Sequence, residues 1–287
     1  MGVTLGRVTV WRLSEGLELT FPPSQAAGVV NVTADSFYSG ARSGTPEQAV
    51  EDGLRLVESG FDLLDVGAVA ARSGPPVETA AEIESLVPAI AGLAERAGVP
   101  VMADTFQPEV ARAALDAGAV AINDISGGSE EMYELIAERG CGYVLMHIAG
   151  PPRVDRTPPI YDDVVERVKE WFAERIERMA AAGVASEQIA VDPGPDFDKG
   201  VDDTIALVGR IPALQELGRP VMAAISRKDY LGAVMAGSWD ARPGADERGA
   251  ATLAATALAT ADGAEILRLH DRESLDAMRV AEAIARG

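Results

Sequence analysis

From about residue 27 to the C-terminus, short apolar segments alternate with longer amphipathic stretches. A short apolar run bounded by turn residues is typical of a strand buried on both faces, as in a parallel sheet. A longer stretch with helical spacing is typical of a helix, and residues 161–182 place Val168, Phe172, Ile176 and Met179 on one face. The predicted strands are residues 27–31, 62–67, 99–104, 120–123, 142–147, 188–192, 220–226 and 264–270.

Eight strands that alternate with helices predict an α/β fold, a single (β/α)8 TIM barrel with right-handed connections. A doubly wound open sheet is the competing architecture. That fold usually carries a glycine-rich phosphate loop after its first strand, whereas this chain has Asn31-Val-Thr-Ala-Asp-Ser-Phe37 there. The barrel is therefore favoured, and its late part includes an alanine-rich helix at residues 247–261.

The N-terminal part of the chain has a different pattern from the rest. Residues 8–19 alternate apolar and polar positions around Glu15-Gly16, which predicts a short β-hairpin. We expect the hairpin to lie within residues 1–25 and to cap the bottom of the barrel. No linker divides the sequence, so residues 1–287 are predicted to form one domain.

Charge and cysteine content limit the possible partners and compartments. The net charge of −20 argues against nucleic acid or an anionic membrane as a partner. One cysteine, Cys141, cannot form an intramolecular disulfide, and its place at the start of a strand predicts a core residue. With no apolar leader and no long apolar run, we expect a soluble, cytoplasmic protein.

Polar residues end every predicted strand. One such residue alone is most simply a helix cap or a turn residue. In a barrel, however, the carboxyl ends of all strands converge on one rim, where active sites are built. The convergence predicts a binding site at this rim, formed by Asn31, Asp65, Asp104, Asn123, His147, Asp192, Ser226, Lys228, Arg268 and His270.

The side chains of the rim suit two kinds of ligand group. Asp104, Asn123 and Asp192 offer carboxylate and amide groups, which match the parallel donors of a 2-amino-4-oxo heterocycle. A cationic set suits a phosphate group, and its members are Arg72, Lys228, Arg268 and His270. Asn31 with the Asp35-Ser36 loop supplies oxygen ligands suited to Mg²⁺ beside such phosphates.

The two histidines raise the alternative of a zinc site. No third ligand at a suitable spacing accompanies His147 and His270, so this alternative is disfavoured. We expect His147 to be a packed or hydrogen-bonded residue of the rim.

Seven motifs, in order and in register from about Gly28 to the C-terminus, resemble those of the dihydropteroate synthase family. They are Asn31-Val-Thr-Ala-Asp-Ser-Phe37, Val101-Met-Ala-Asp-Thr105, Ile122-Asn-Asp-Ile-Ser-Gly-Gly128, Val144-Leu-Met-His147, Asp192-Pro-Gly194, Ser226-Arg-Lys228 and Arg268-Leu-His270. The resemblance implies the same barrel fold. It also implies a transferase of folate biosynthesis, which joins a dihydropterin-methyl diphosphate to p-aminobenzoate and releases diphosphate.

The resemblance further implies a role for individual residues. Those implied in pterin binding are Asp104, Asn123, Met146, Asp192 and Lys228. Those implied in holding the diphosphate are Asn31, Arg72, Arg268 and His270, with Asn31 also touching Mg²⁺. The catalytic set would be Asn31, Asp104, Lys228, Arg268 and His270, and Phe197 would pack on the benzoate ring.

The chain departs from the family pattern mainly on the p-aminobenzoate side, around Ala71, Ser73, Phe197 and Asp229. Ala71 and Ser73 lie in the altered loop of residues 69–74. The chain also has Ala34 in the first loop, and aspartates flank Phe197 where the family has glycines. Asp229 stands where the family has a serine that receives the benzoate carboxylate at a helix N-terminus. If Asp229 caps that helix, an incoming carboxylate meets a filled site and a like charge; alternatively, Asp229 turns outward.

Three functions stay open on the sequence. The first is an active dihydropteroate synthase. The second is a pterin-binding paralogue that does not use p-aminobenzoate, acting on another amine or as a non-catalytic binder. The third, a pterin-dependent methyltransferase, leaves the cationic residues without a purpose and is disfavoured. The small residues of the stretch 249–261 would permit close helix contact, so a homodimer is also expected.

Overall fold

The computed structural model describes residues 8–32, 43–70, 77–154 and 156–286. The strands in these ranges are β1 (Thr9–Ser14), β2 (Leu17–Phe21), β3 (Gln25–Asn31), β4 (Leu63–Gly67), β5 (Val101–Asp104), β6 (Ala121–Asp124), β7 (Gly142–Met146), β8 (Ile189–Asp192), β9 (Met222–Ala223) and β10 (Ile266–Leu269). The helices in these ranges are α1 (Pro46–Glu58), α2 (Thr79–Arg96), α3 (Pro108–Asp116), α4 (Glu130–Arg139), α5 (Val164–Ala181), α6 (Val201–Val208), α7 (Ile211–Gln215), α8 (Asp229–Ala236), α9 (Gly249–Ala261) and α10 (Arg272–Arg286).

Strands β3 to β10 form one parallel sheet in the order β8-β7-β6-β5-β4-β3-β10-β9. An isolated parallel bridge between Val191 and Val221 joins the two edge strands and brings the sheet round into a barrel. At least one helix separates each barrel strand from the next along the chain. The predicted (β/α)8 barrel is therefore confirmed, and each of its eight strands overlaps a predicted segment.

Two predicted elements differ most from the structure. The seventh barrel strand is only Met222–Ala223, and it begins no earlier because the Val221 N–H donates to the Glu265 carboxylate at 2.9 Å instead of to a neighbouring strand. Helix α5 begins at Val164 rather than residue 161, because the Asp163 side chain accepts hydrogen bonds from the N–H groups of Val165 and Glu166. A side chain that satisfies these amides fixes the start of a helix.

The predicted hairpin is the antiparallel pair β1–β2. Its buried side chains, Trp11, Leu13 and Phe21, pack with residues from the amino-terminal parts of the barrel strands, such as Ala27 and Leu63. The Trp11 indole N–H also donates to the carbonyl of Gln188 at 2.8 Å. These contacts close the barrel interior at the end opposite to the polar rim. None of the helices in the described ranges is long and apolar enough to cross a membrane.

A charged network occupies the interior at the carboxyl end of the strands. Asp65 on β4 is fully buried and accepts hydrogen bonds from the Asn123 amide on β6, at 3.1 Å, and from the Arg268 guanidinium on β10. Arg268 also donates to the Asp104 carboxylate on β5 at 2.8 Å. Burial and the nearby Asp65 carboxylate raise the pKa of Asp104, and Arg268 opposes this effect. Arg268 thus ties three strands together, and the hydrogen bond from Asn123 to Asp65 adds a fourth.

We predict that Arg268→Met lowers the free energy of unfolding by about 3–5 kcal/mol at pH 8, because it leaves two carboxylates without their cation. When folding raises the pKa of an acid, the folded protein loses stability as the pH rises from the unfolded-state pKa to the folded-state pKa. The loss should therefore be smaller at pH 5, where Asp104 can hold a proton. Chemical denaturation at both pH values measures this.

Arg272→Met is the matched control, because Arg272 forms an exposed pair with Asp276 at 2.9 Å. Such surface pairs contribute about 0–1 kcal/mol, so the control should change stability little at either pH. An equal loss for Arg268→Met at pH 5 and pH 8 would contradict the account of the network.

Candidate functional site

The strands bring most of the predicted site residues to one rim of the barrel. Asn31, Asp104, Asn123, Asp192 and Arg268 lie at or next to the carboxyl ends of β3, β5, β6, β8 and β10. Met146 ends β7, and Lys228 and His270 follow β9 and β10. The structure thus assembles these eight residues as a group. Six other residues named from the sequence lie outside the described residues: Ala34, Asp35, Ser36, Ala71, Arg72 and Ser73.

The floor of this rim is buried and polar. Asn123 and Asp192 are 4% and 2% exposed, so their amide and carboxylate groups are shielded from water. Burial raises the pKa of Asp192, which a hydrogen bond from the Gly194 N–H at 2.8 Å and the charge of Lys228 oppose. Gly194 has a positive φ of 65°, and a Cβ there would lie 2.2 Å from the His147 carbonyl oxygen. Only glycine permits this turn.

One wall of the site is apolar. Ile125, Met146 and Ile148 form a buried cluster, against which Phe106 and Phe197 pack. A flat ring can lie on such a wall while its edge meets the polar floor, which is the usual division of a small-molecule pocket.

Lys228 lies at the outer side of the floor. Its ammonium nitrogen is 4.4 Å from the centroid of the Phe197 ring, a cation–π distance. The side chain therefore connects the two predicted parts of the site, because the resemblance assigns Lys228 to the pterin and Phe197 to the benzoate ring.

His270 differs from its expected cationic state. Its Nδ1 lies 2.8 Å from the Ser226 hydroxyl, and the side chain is 7% exposed. Burial, with the charge of Arg268, lowers its pKa to about 3. His270 is therefore neutral at physiological pH and contributes hydrogen bonds, not charge, to the site. Arg268, which the resemblance assigns to the diphosphate, has its guanidinium between the Asp65 and Asp104 carboxylates.

The N-terminus of α8 bears on the two alternatives for Asp229. The N–H groups of Asp229 and Tyr230 donate to the carboxylate of Asp196, at 2.6 and 3.1 Å. The Asp229 side chain pairs with Arg248 at 2.7 Å and with Arg242 at 3.4 Å. A carboxylate does fill this helix end, but it belongs to Asp196.

Sequence reasoning missed two residues beside Asp196 that hold the loop between β8 and α6. Lys199 is buried and donates to the carbonyls of Phe197, Gly194 and His147, at 2.7, 3.0 and 3.3 Å. Burial lowers its pKa to about 7. Asp198 pairs with Arg156 at 2.5 Å. The available signal was weak: Lys199 is one of three lysines in the chain and follows the Asp192-Pro-Gly194 motif.

Two residues that were not expected to act in catalysis, His147 and Cys141, are both buried. His147 is 3% exposed and packs edge-on against Trp171, with ring centroids 4.9 Å apart. Burial lowers its pKa to about 2. Cys141 is buried, as predicted. Over the described part of the chain, no group of three His, Cys, Asp or Glu side chains is placed to hold a metal ion.

Comparison with known proteins agrees with the fold. Residues 27–270 match the family described as pterin binding enzyme. The dihydropteroate synthase of Escherichia coli strain K12 is 34% identical over 273 residues, which cover 94% of this chain and 95% of that protein.

Solved structures give the same result. The dihydropteroate synthase of Xanthomonas albilineans, solved with 4-aminobenzoic acid, is 37% identical with a TM-score of 0.86, covering 97% of this chain and 98% of that one. The same enzyme in complex with 7,8-dihydropteroate is 36% identical with a TM-score of 0.81, covering 95% and 97%. The chain therefore belongs to the dihydropteroate synthase family of pterin-binding enzymes.

Proposed function

We propose that this protein condenses a dihydropterin-methyl diphosphate with p-aminobenzoate and releases diphosphate. The observation that carries the proposal is the buried polar floor, where Asp104, Asn123 and Asp192 meet beside Lys228 at the rim of the barrel. The likeness to dihydropteroate synthases over most of the chain supports it.

The floor and its wall match the shape and polarity of a pterin. Asp192 is a bidentate acceptor for the ring N–H and exocyclic amine of a 2-amino-4-oxo heterocycle. Asn123 adds an amide that can both donate and accept. Met146 and the neighbouring isoleucines offer an apolar surface to the ring face. Asp104 and Lys228 complete the edge, and the charge of Arg268 opposes the rise in the pKa of Asp104 that burial causes.

The diphosphate would lie on the opposite side of the rim. Asn31 at the end of β3, Arg268 and His270 are the described residues that we assign to it, and Arg72 joins them from the sequence. The amide oxygen of Asn31 fits Mg²⁺, because this ion typically takes one or two protein oxygens beside substrate phosphates and water. When bound there, Mg²⁺ would neutralise charge that develops on the leaving group.

The reaction needs positioning and charge stabilisation more than proton transfer. The amine lone pair of p-aminobenzoate forms a C–N bond to the pterin methylene as the C–O bond to diphosphate breaks, and its electron pair leaves on oxygen. The amine then loses a proton to solvent. Arg268, together with the N–H of neutral His270, stabilises the departing anion without reorganisation. Lys228 and Phe197 hold the two rings in contact range.

One observation favours the alternative, a pterin-binding paralogue that does not use p-aminobenzoate. The carboxylate of Asp196 occupies the N-terminus of α8 beside Phe197. A substrate amine without an anionic group would not compete with it.

We predict that the purified protein releases diphosphate from the dihydropterin-methyl diphosphate only when p-aminobenzoate is present. Asp192→Asn should lower kcat/KM roughly 10- to 100-fold, because it removes a charged acceptor for pterin donors. Glu134→Gln, an exposed change of acid to amide on α4, should leave the rate unchanged. A coupled diphosphate assay measures both. No release at enzyme concentrations equal to the substrate's would contradict the proposal.

We also infer that the protein forms a homodimer through α9 and α10. Leu258 on α9 is 67% exposed, and Val280 and Ile284 on the adjacent α10 are 58% and 76% exposed. Two copies related by a two-fold axis would bury this apolar face against itself.

Light scattering should therefore report a dimer at micromolar concentration, and Leu258→Asp should give a monomer. Ile160→Asp is the matched control, because Ile160 is 99% exposed but lies in the segment before α5. It should remain a dimer. A monomeric wild-type protein would overturn the inference.

A further inference from the structure

The N-terminus of α8 is filled by an anion from within the chain. Both carboxylate oxygens of Asp196 accept hydrogen bonds here: one takes the Asp229 N–H at 2.6 Å, and the other takes the Tyr230 N–H at 3.1 Å. The donor residues lie 33 and 34 positions further along the chain. The first N–H groups of a helix, with its positive dipole end, stabilise one carboxylate well.

The loop that carries Asp196 fixes this carboxylate in place. Asp196 and Asp198 have positive φ values of 68° and 52°, a region that costs energy for residues other than glycine, although aspartate tolerates it. Lys199 binds the carbonyls of Gly194 and Phe197, and Arg156 pairs with Asp198. The loop is therefore anchored on both sides of Asp196. The contact with α8 adds a favourable interaction that offsets the backbone cost.

The other carboxylate near this helix end is already engaged. The Asp229 side chain points to Arg248 and Arg242, at 2.7 and 3.4 Å. Arg248 is 5% exposed and also donates to the Arg227 carbonyl at 2.9 Å, so this pair is built into the structure. Asp196 is thus the side chain that occupies the two helix amides.

Chain connectivity places this helix end beside the arylamine side of the site. Asp196 directly precedes Phe197, and Asp229 directly follows Lys228, whose ammonium lies 4.4 Å from the Phe197 ring. A ring that packs against Phe197 therefore has its outer edge within reach of the α8 N-terminus. A carboxylate on that edge would have to displace the Asp196 carboxylate, or lie beside it and meet a like charge.

We propose that Asp196 is a specificity-determining residue: an internal anion on α8 that weakens the binding of arylamines carrying a carboxylate, relative to neutral arylamines of the same shape. The proposal rests on the proposed function in one respect, that an arylamine binds at Phe197. It makes Asp196 the residue that sets how tightly p-aminobenzoate binds relative to a neutral arylamine.

The test compares two ligands that differ only in charge at the outer edge of the ring. Calorimetry measures the Kd of 4-aminobenzoate and of 4-aminobenzamide in the presence of 6-hydroxymethylpterin, diphosphate and Mg²⁺. The variants are Asp196→Asn, which keeps the shape but removes the charge, and Asp196→Gly, which removes the occupant and suits the positive φ. Asp202→Asn, an exposed residue on α6, is the control for net charge.

For both Asp196 variants, the Kd of 4-aminobenzoate should fall about tenfold, as the removal of a like charge at close range predicts. The Kd of 4-aminobenzamide should change by no more than about twofold, because no ionic repulsion acts on it. Asp202→Asn should change neither value. Circular dichroism confirms that each variant is folded.

The proposal is overturned if both Kd values change in parallel, if neither changes, or if neither amine binds the wild-type protein and Asp196→Gly. Failure of the proposed function gives a different result. In that case the amines bind with the predicted ratios, but diphosphate release from the dihydropterin-methyl diphosphate stays absent in all variants.

Discussion

The hydrogen-bonded ion pairs of Arg268 with Asp65 and Asp104 are the interaction on which the rest of the site depends. A buried carboxylate such as Asp65 is costly without a partner, and one guanidinium with a fixed fork of donors pairs with two carboxylates here. Because the partners sit on β4, β5 and β10, and Asn123 joins from β6, the network sets the relative positions of four strand ends. The pterin floor is built on those ends.

A second constraint acts on the other half of the site, where one helix N-terminus can stabilise one anion. On the pterin side, charges are paired within the barrel and leave acceptors for a ligand's donors. On the arylamine side, Asp196 already satisfies the amides of α8. The two halves therefore place different demands on their substrates. On our proposal, the pterin side accepts its substrate without rearrangement, whereas a carboxylate on the arylamine meets the Asp196 carboxylate at the N-terminus of α8.

The sequence predicted the features that depend on local periodicity. Apolar runs identified all eight barrel strands, and polar strand ends identified the rim, because parallel strands must bring their carboxyl ends together. The sequence could not predict which ion pairs and hydrogen bonds the charged side chains form. The capping of α8 joins Asp196 to Asp229, and Asp196 lies in a loop with positive φ values where Lys199 donates to the Gly194 carbonyl. The placement of Arg268 between two aspartates likewise depends on the register of three strands, which composition does not reveal.

A crystal structure of the protein with a bound pterin tests the central claim most directly. The account predicts that the amino-oxo edge of the heterocycle contacts Asp192 and Asn123, that its face lies on Met146, and that Arg268 keeps its contact with Asp65. A pterin bound elsewhere, or an Arg268 side chain that leaves Asp65 to reach the ligand, would contradict it.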